Sequence, residues 1–282
     1  MFIAFEKGYN DIFQALLNFK NIKFSKNVLL NCESLKEIVI PPTIKIIGEA
    51  SFKNCTSLID VSIPSSVIKI ESSAFEKCSS LRQLKIPDSV TYIGSSAFKG
   101  CSLLRQFSIP PLITKIEDYL FCECLSLEQI KVHSSIDTIG AYSFDNCKSL
   151  INVEISSSVT TIENYAFNGC SLLKQIFIPS SVVSIGSSAF ARTSLEQFTF
   201  HEKITLINEF MFQSCSKLKK ITIPSTVISI GQGAFYNCDS LVDIEIPLSV
   251  TRIEKSLFFN CSALTHIKIN SSITFIEDYA FN

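Results

Sequence analysis

Phenylalanine stands at 52, 75, 98, 121, 144, 167 and 190, always 23 residues apart, and after one step of 22 it returns at 212, 235, 258 and 281. Leu29 fills the same slot one period earlier. Three residues beyond, from Cys32 to Cys261, a second series places ten of the chain's 11 cysteines, and a third series of leucines runs from Leu35 to Leu264. Five residues before each Phe, from Ile47 to Ile276, the residue is always Ile. About 23 residues cannot bury both faces of a strand and a turn, so each unit must stack on its neighbours.

Within a unit the pattern is Leu-x-x-Ile-x-Ile-Pro, a Ser-rich turn, then Val-x-x-Ile-Gly/Glu-x-x-Ala-Phe-x-x-Cys-x-x-Leu. In residues 81–87, Leu84 and Ile86 alternate with Gln83 and Lys85, the period of a half-buried strand. Pro87 lacks a ladder donor and ends it. Val90 to Ile93 is β-branched, but its apolar spacing of three implies a bend or a second short strand. Ala97, Phe98 and Cys101 predict one short helical or 3₁₀ turn, closed at the pre-Cys slot by Gly100, Asn54, Asn146 or Asn237, residues tolerant of positive φ. Stacked at ~4.8 Å per rung, some eleven units predict a body about 50 Å long with one continuous core. The unit Phe190-Ala-Arg-Thr-Ser-Leu195 has lost a residue and its Cys, which predicts a local irregularity.

The run from Ile178 to Leu195, and that from Ile223 to Leu241, resembles the BspA-type (Treponema pallidum-type) leucine-rich repeats. The resemblance covers roughly residues 29–282 and implies a leucine-rich-repeat solenoid, β-rich, with about 11 repeats. Residues 1–28 fit the repeat poorly and read as a degenerate N-terminal repeat or cap, with residues 11–17 as an amphipathic capping turn. At the other end the chain stops in mid-repeat at Phe281-Asn282, so the expectation is a longer native protein or an end covered by another chain.

Composition excludes several functions. With 25 Lys+Arg against 26 Asp+Glu the net charge is −1, and there is no basic block. Nucleic acid is therefore not an expected partner, because phosphate contact needs a cationic face. No stretch is long and apolar enough to predict a membrane-spanning helix. Glu6, Lys7 and Asp11 interrupt the start, where a signal peptide needs an apolar run. The cysteines track Phe and Leu rather than a metal-ligand spacing and read as small packing residues, the off-ladder Cys122 as an exposed thiol. His133 and His201 take the slot held elsewhere by Pro and read as solvated turn residues. Gly231-Gln-Gly233 lacks the third glycine of a dinucleotide loop and reads as the repeat's own turn. Among the sequons, those at Asn54 and Asn260 arise from the repeat's Asn-Cys step; Asn270 alone stands outside it. No acid, base and nucleophile converge, so no enzyme, cofactor or metal is expected.

What remains is the outward row of the main strands, which holds five acids and four lysines among Gln, Asn, Ser and Thr. The candidate binding face is Lys85, Gln106, Gln129, Lys131, Asn152, Glu154, Gln175, Phe177, Gln197, Thr199 and Lys220, with Phe177 as its best anchor. Solenoids tend to bind along such extended faces, here a protein or a glycan. The family resemblance implies a surface-associated protein adhering to host matrix proteins or cells; the alternative is an intracellular scaffold, which a ladder of reduced thiols suits.

Overall fold

The computed structural model describes residues 24–282, so the expected capping turn at 11–17 lies outside the described residues. From Phe24 onward the chain coils in register. Among the described residues nineteen short strands, all parallel where they pair, lie along two edges of the coils. On the first edge Glu37–Val39 pairs with Asp60–Ser62, Gln129–Val132 with Asn152–Ile155, Gln197–Thr199 with Lys220–Thr222, and Asp243–Glu245 with His266–Lys268. On the second edge two-residue strands pair likewise, as in Lys115–Ile116, Thr138–Ile139, Thr161–Ile162 and Ser184–Ile185. The second short strand is thus the outcome of the two expected at Val90 to Ile93.

The turn between the edges follows from its residues. Pro87 accepts from the Val90 amide at 3.1 Å, and Pro64 and Pro224 do the same for Val67 and Val227. The second turn residue then reaches back a coil: the hydroxyls of Ser66, Ser89 and Ser158 donate to the carbonyls of Ile44, Val67 and Ile136 at 2.6–2.7 Å. A buried carbonyl without a partner would be costly, and this is what the Ser-rich turn supplies.

The helical or 3₁₀ turn expected before each Cys is instead a train of tight turns with two left-handed residues per coil. One is the pre-Cys slot, as in Asn54 (φ 61°) and Gly100 (φ 72°); the other lies two residues before the Phe and is held by Ser96, Tyr119, Tyr142 and Tyr165 at φ 56–59°. Alternation explains both. The amides of Ser96, Phe98 and Gly100 donate to carbonyls of the next coil at 2.7–3.1 Å, while those of Ala97, Lys99 and Cys101 close turns three residues back at 3.1–3.2 Å. From Ser96 to Cys101 every backbone donor is used, which offsets the roughly 1–2 kcal/mol that a non-glycine residue gives up in this conformation. The slot after Ile alternates strictly from Gly48 through Glu71, Gly94, Glu117, Gly140 and Glu163 to Gly186. Where it is Gly the coil below comes close: a Cβ on Gly94 would lie 2.5 Å from the Ser72 nitrogen.

Inside, the phenylalanines form a stack. Phe52 to Phe281 place ring on ring at centroid separations of 5.0–5.9 Å and interplanar angles of 2–17°. The Ile, Leu and Cys series line the same core, fully buried over most of their length. At the shortened unit the deletion falls after the Cys slot, which Thr193 occupies, and Phe190 still stacks on Phe212. That exchange is the local irregularity expected; the second-edge pairing lapses between Ile185 and Leu206, but it lapses also between Ile93 and Lys115 and between Ile230 and Arg252. A difference appears at residues 83–85 and again at 175–177, where the alternation predicts a strand and none forms. Leu84 and Ile86 are buried and Lys85 exposed, as the alternation predicts, but no strand pairing forms there. The lapse at 83–85 adjoins Phe107, which wedges between Phe98 and Phe121 at 4.9 and 4.8 Å, where the neighbouring coils carry Leu84 and Ile130.

Because Phe144 is wholly buried between Phe121 and Phe167, Phe144→Ala should lower unfolding free energy by about 3–5 kcal/mol, and Ile139→Asp by several kcal/mol. Urea denaturation measures this; a loss below about 0.5 kcal/mol would mean that the ladder is not core.

Candidate binding face

Two groups singled out by sequence are structural. All eleven cysteines are unpaired, and ten are buried. Each ladder thiol from Cys55 onward points at a carbonyl in the coil before it: Cys78 at Phe52, Cys101 at Phe75, Cys147 at Phe121 and Cys238 at Phe212, all within 3.1–3.2 Å. Burial pushes Cys55 and Cys101 up to about 12 and Cys32, Cys215 and Cys261 up to about 11. They are therefore protonated and unreactive. Cys122 corrects the sequence reading. It is 2% exposed, not an exposed thiol, because the slot after Phe faces inward on this coil, where its Sγ lies 3.7 Å from the buried Asp145 carboxylate. Burial, and then Asp145, raise it to about 12.

The histidines also differ from expectation. Both are half-buried: His133 Nδ1 accepts from the Ser135 amide at 3.3 Å, which leaves Nε2–H to donate to the Pro110 carbonyl at 2.9 Å on the preceding coil. His201 Nδ1 accepts likewise from Lys203. The amides of all three sequons are engaged: Asn54 donates to Asn31, Asn260 to Asn237, and Asn270 to the Pro247 carbonyl at 2.6 Å. Gly233 sits at φ 56° in the left-handed slot before Phe235, as the repeat's own turn.

The outward row of the first edge is where side chains reach solvent. Every residue of the face, from Lys85 to Lys220, is exposed, and Phe177 is 77% exposed. The row has relief. Five successive coils, from Asp60 to Glu154, bound one open groove of about 1450 Å³, with Lys85, Gln106, Gln129, Lys131, Asn152 and Glu154 along it and Phe107, Ile109 and Ile130 in its floor. Lys131 and Glu154 pair across adjacent coils at 3.4 Å. The far wall comes from the turn, at Pro87, Asp88, Pro111 and His133.

Further along, Gln175, Gln197 and Lys220 line a second depression of about 800 Å³, completed by Ile151, Leu172, Lys174, Glu196 and Lys219. Phe177 and Thr199 line neither hollow, so the face divides in two rather than forming one stripe. Sequence reasoning missed Ile151, Leu172, Lys174, Glu196 and Lys219, which precede the strand alternation it followed. Their signal was Leu172 in a slot that the neighbouring coils fill with Ser149 and Ser194, and Ile151 in a slot that carries Glu128 and Lys174 on either side. No group of His, Cys, Asp and Glu among the described residues is arranged to hold a metal, and no helix among them is long and apolar enough to cross a membrane.

The family model described as the BspA type leucine rich repeat region (6 copies) matches residues 22–150, 96–219, 137–259 and 183–282, in overlapping stretches. Among solved structures, the fold is similar to a leucine-rich repeat protein from Bacteroides ovatus ATCC 8483 (28% identity, 90% of this chain and 78% of that one, TM-score 0.72). It is similar also to a leucine rich cell surface protein from Faecalibacterium prausnitzii A2-165 (30% identity, 92% of this chain and 73% of that one, TM-score 0.60). A leucine-rich repeat protein from Eubacterium ventriosum ATCC 27560 shares the fold at 23% identity, over 92% of this chain and 79% of that one, with a TM-score of 0.66. No curated protein matches the chain.

The thiol ladder makes a prediction. Free thiols of the unfolded chain ionise near 9 and the folded ones well above it, so the unfolded state releases protons first as pH rises. The contribution is whole below pH 9 and declines from pH 9 towards 12. Urea midpoints at pH 8 and 10.5 should show this fall, and a variant with Cys101, Cys124 and Cys147 replaced by Ala should show a shallower one. Thiol titration should find few reactive groups in the native protein and 11 in denaturant; a disulfide-linked majority would contradict the ladder.

Proposed function

Because the chain belongs to the BspA-type leucine-rich-repeat family, we propose that it is a non-enzymatic protein-binding solenoid which holds its partner along the outward row of the first edge. The observation that carries this reading is the groove spanning five coils: its length and relief suit a polypeptide surface, and its lining of Gln, Asn, Ser and paired charges suits many moderate hydrogen bonds. The frame beneath is rigid, since each coil is hydrogen-bonded to the next, so little ordering opposes docking. Phe177 extends the face as an exposed aromatic anchor beyond the groove.

The partner class we favour is a host surface or extracellular-matrix protein, with the chain displayed at the cell surface. A cell-surface protein of F. prausnitzii at 30% identity supports that reading. The buried thiols remove the argument for a reducing compartment, because a protonated, inaccessible thiol needs no protection from oxidation.

The test is capture of extracellular-matrix proteins by the isolated chain, followed by titration of whichever binds. Replacing Phe177 and Gln197 by Ala should weaken binding by about tenfold, close to 1.4 kcal/mol, with the melting temperature unchanged, while Gln106→Ala with Gln129→Ala tests the groove. Binding unaffected by either pair would reject this face. Antibody labelling of non-permeabilised cells reports display, and exclusively cytosolic signal would reject the surface reading.

A further inference from the structure

We propose that the second depression, between Ile151, Leu172, Lys174, Glu196, Lys219 and Lys220, is a docking site for an acidic polypeptide segment that carries a protruding apolar side chain; this rests on the protein-binding reading above and names the chemistry of one partner segment.

Charge and apolar exposure coincide there. Ile151 and Leu172, on successive coils, are 55% and 49% exposed and line the same hollow. Around them stand three lysines and one glutamate. Lys219 is neutralised by Glu196 at 3.3 Å, whereas Lys174 and Lys220 have no ion-pair partner among the described residues. Lys217 lies exposed on the same coil as Lys219 and Lys220. The hollow is thus cationic on a chain whose net charge is −1. The neighbouring groove leans the other way: Lys131 and Glu154 cancel each other, and Asp60 and Asp88 outnumber Lys85. One face therefore presents two hollows of opposite sign, and an acidic segment is drawn to the second and turned away from the first.

The apolar pair selects the class of ligand. A sulfated glycan or a nucleic acid would occupy the lysines and leave Ile151 and Leu172 wet. A peptide with carboxylates flanking a leucine or phenylalanine satisfies both, seating the apolar side chain between the two and its acids against Lys174 and Lys220.

Fluorescence anisotropy on the whole chain tests this with a labelled hexapeptide of Asp and Glu around a central Leu-Phe pair. The comparators are the same peptide with Lys flanks, the acidic peptide with a central Gly-Ser pair, and a heparin octasaccharide. The acidic Leu-Phe peptide should bind best and lose affinity as salt is raised. Lys174→Ala and Lys220→Ala should each weaken it by about threefold, and Leu172→Ser by about fivefold. These side chains are exposed, so melting temperatures should hold; Lys174→Arg, which keeps the charge, should retain binding. Equal binding of the Gly-Ser peptide, heparin binding indifferent to Leu172→Ser, or no saturation by about 1 mM would overturn the site. Loss of the peptide site while matrix capture still depends on Phe177 would reject this inference alone. Peptide binding that persists when capture ignores Phe177 and the groove would reject the broader reading alone.

Discussion

Backbone hydrogen bonding from coil to coil, in register and without slippage, is the constraint on which the rest depends. Once the amides of Phe98 and Gly100 donate to Leu120 and Cys122, residue i must lie over residue i+23, and every side chain meets its own slot one coil away. Like must tolerate like. Apolar series satisfy this readily, and the Phe, Ile and Leu ladders are the result. Opposite charges stack favourably, and four ion pairs lie in register, Lys53 over Glu76, Lys131 over Glu154, Glu196 over Lys219, and Glu245 over Lys268, while like charges share exposed slots, as in Glu37 over Asp60 and Arg82 over Arg105. Most of the ion pairs are exposed, so they serve the register more than stability.

The same geometry explains why the third ladder is cysteine. The Phe52 carbonyl accepts from the Cys55 amide in its own coil and from the Cys78 thiol in the next, which uses both of its lone pairs. Ala would fill the slot but leave the second lone pair bare; Ser would bring a more polar hydroxyl into a dry stack. A thiol is small, apolar and a weak donor, which this site needs. Thr193, at the shortened unit, shows a substitute: its hydroxyl donates to the Phe190 carbonyl of its own coil at 2.8 Å and meets the Cys215 sulfur at 3.2 Å.

With the core given over to repetition, individuality is confined to the outside. The inner slots vary little between coils, whereas outward positions run from Gln129 to Phe177 to Asp243. Function on such a frame comes from which unlike residues fall side by side across coils. Here that placement yields a mildly acidic polar groove at one end of the face and an apolar, cationic hollow further along it.

Period, strand alternation, the proline-ended turn and the core ladders were legible in the chain because each depends on residues a few positions apart, repeated often enough to expose the rule. The outward row was legible for the same reason: once Leu84 and Ile86 face in, Lys85 faces out. The second left-handed slot was not. Ser96, Tyr119 and Phe210 share no side-chain signature, since what they share is an amide aimed at the next coil. Nor was the burial of Cys122, whose slot is half-buried Lys99 one coil before and buried Asp145 one coil after. The grouping of Ile151, Leu172, Lys174 and Lys219 was decided by tertiary structure alone, because they come together only when coils 23 residues apart are laid side by side.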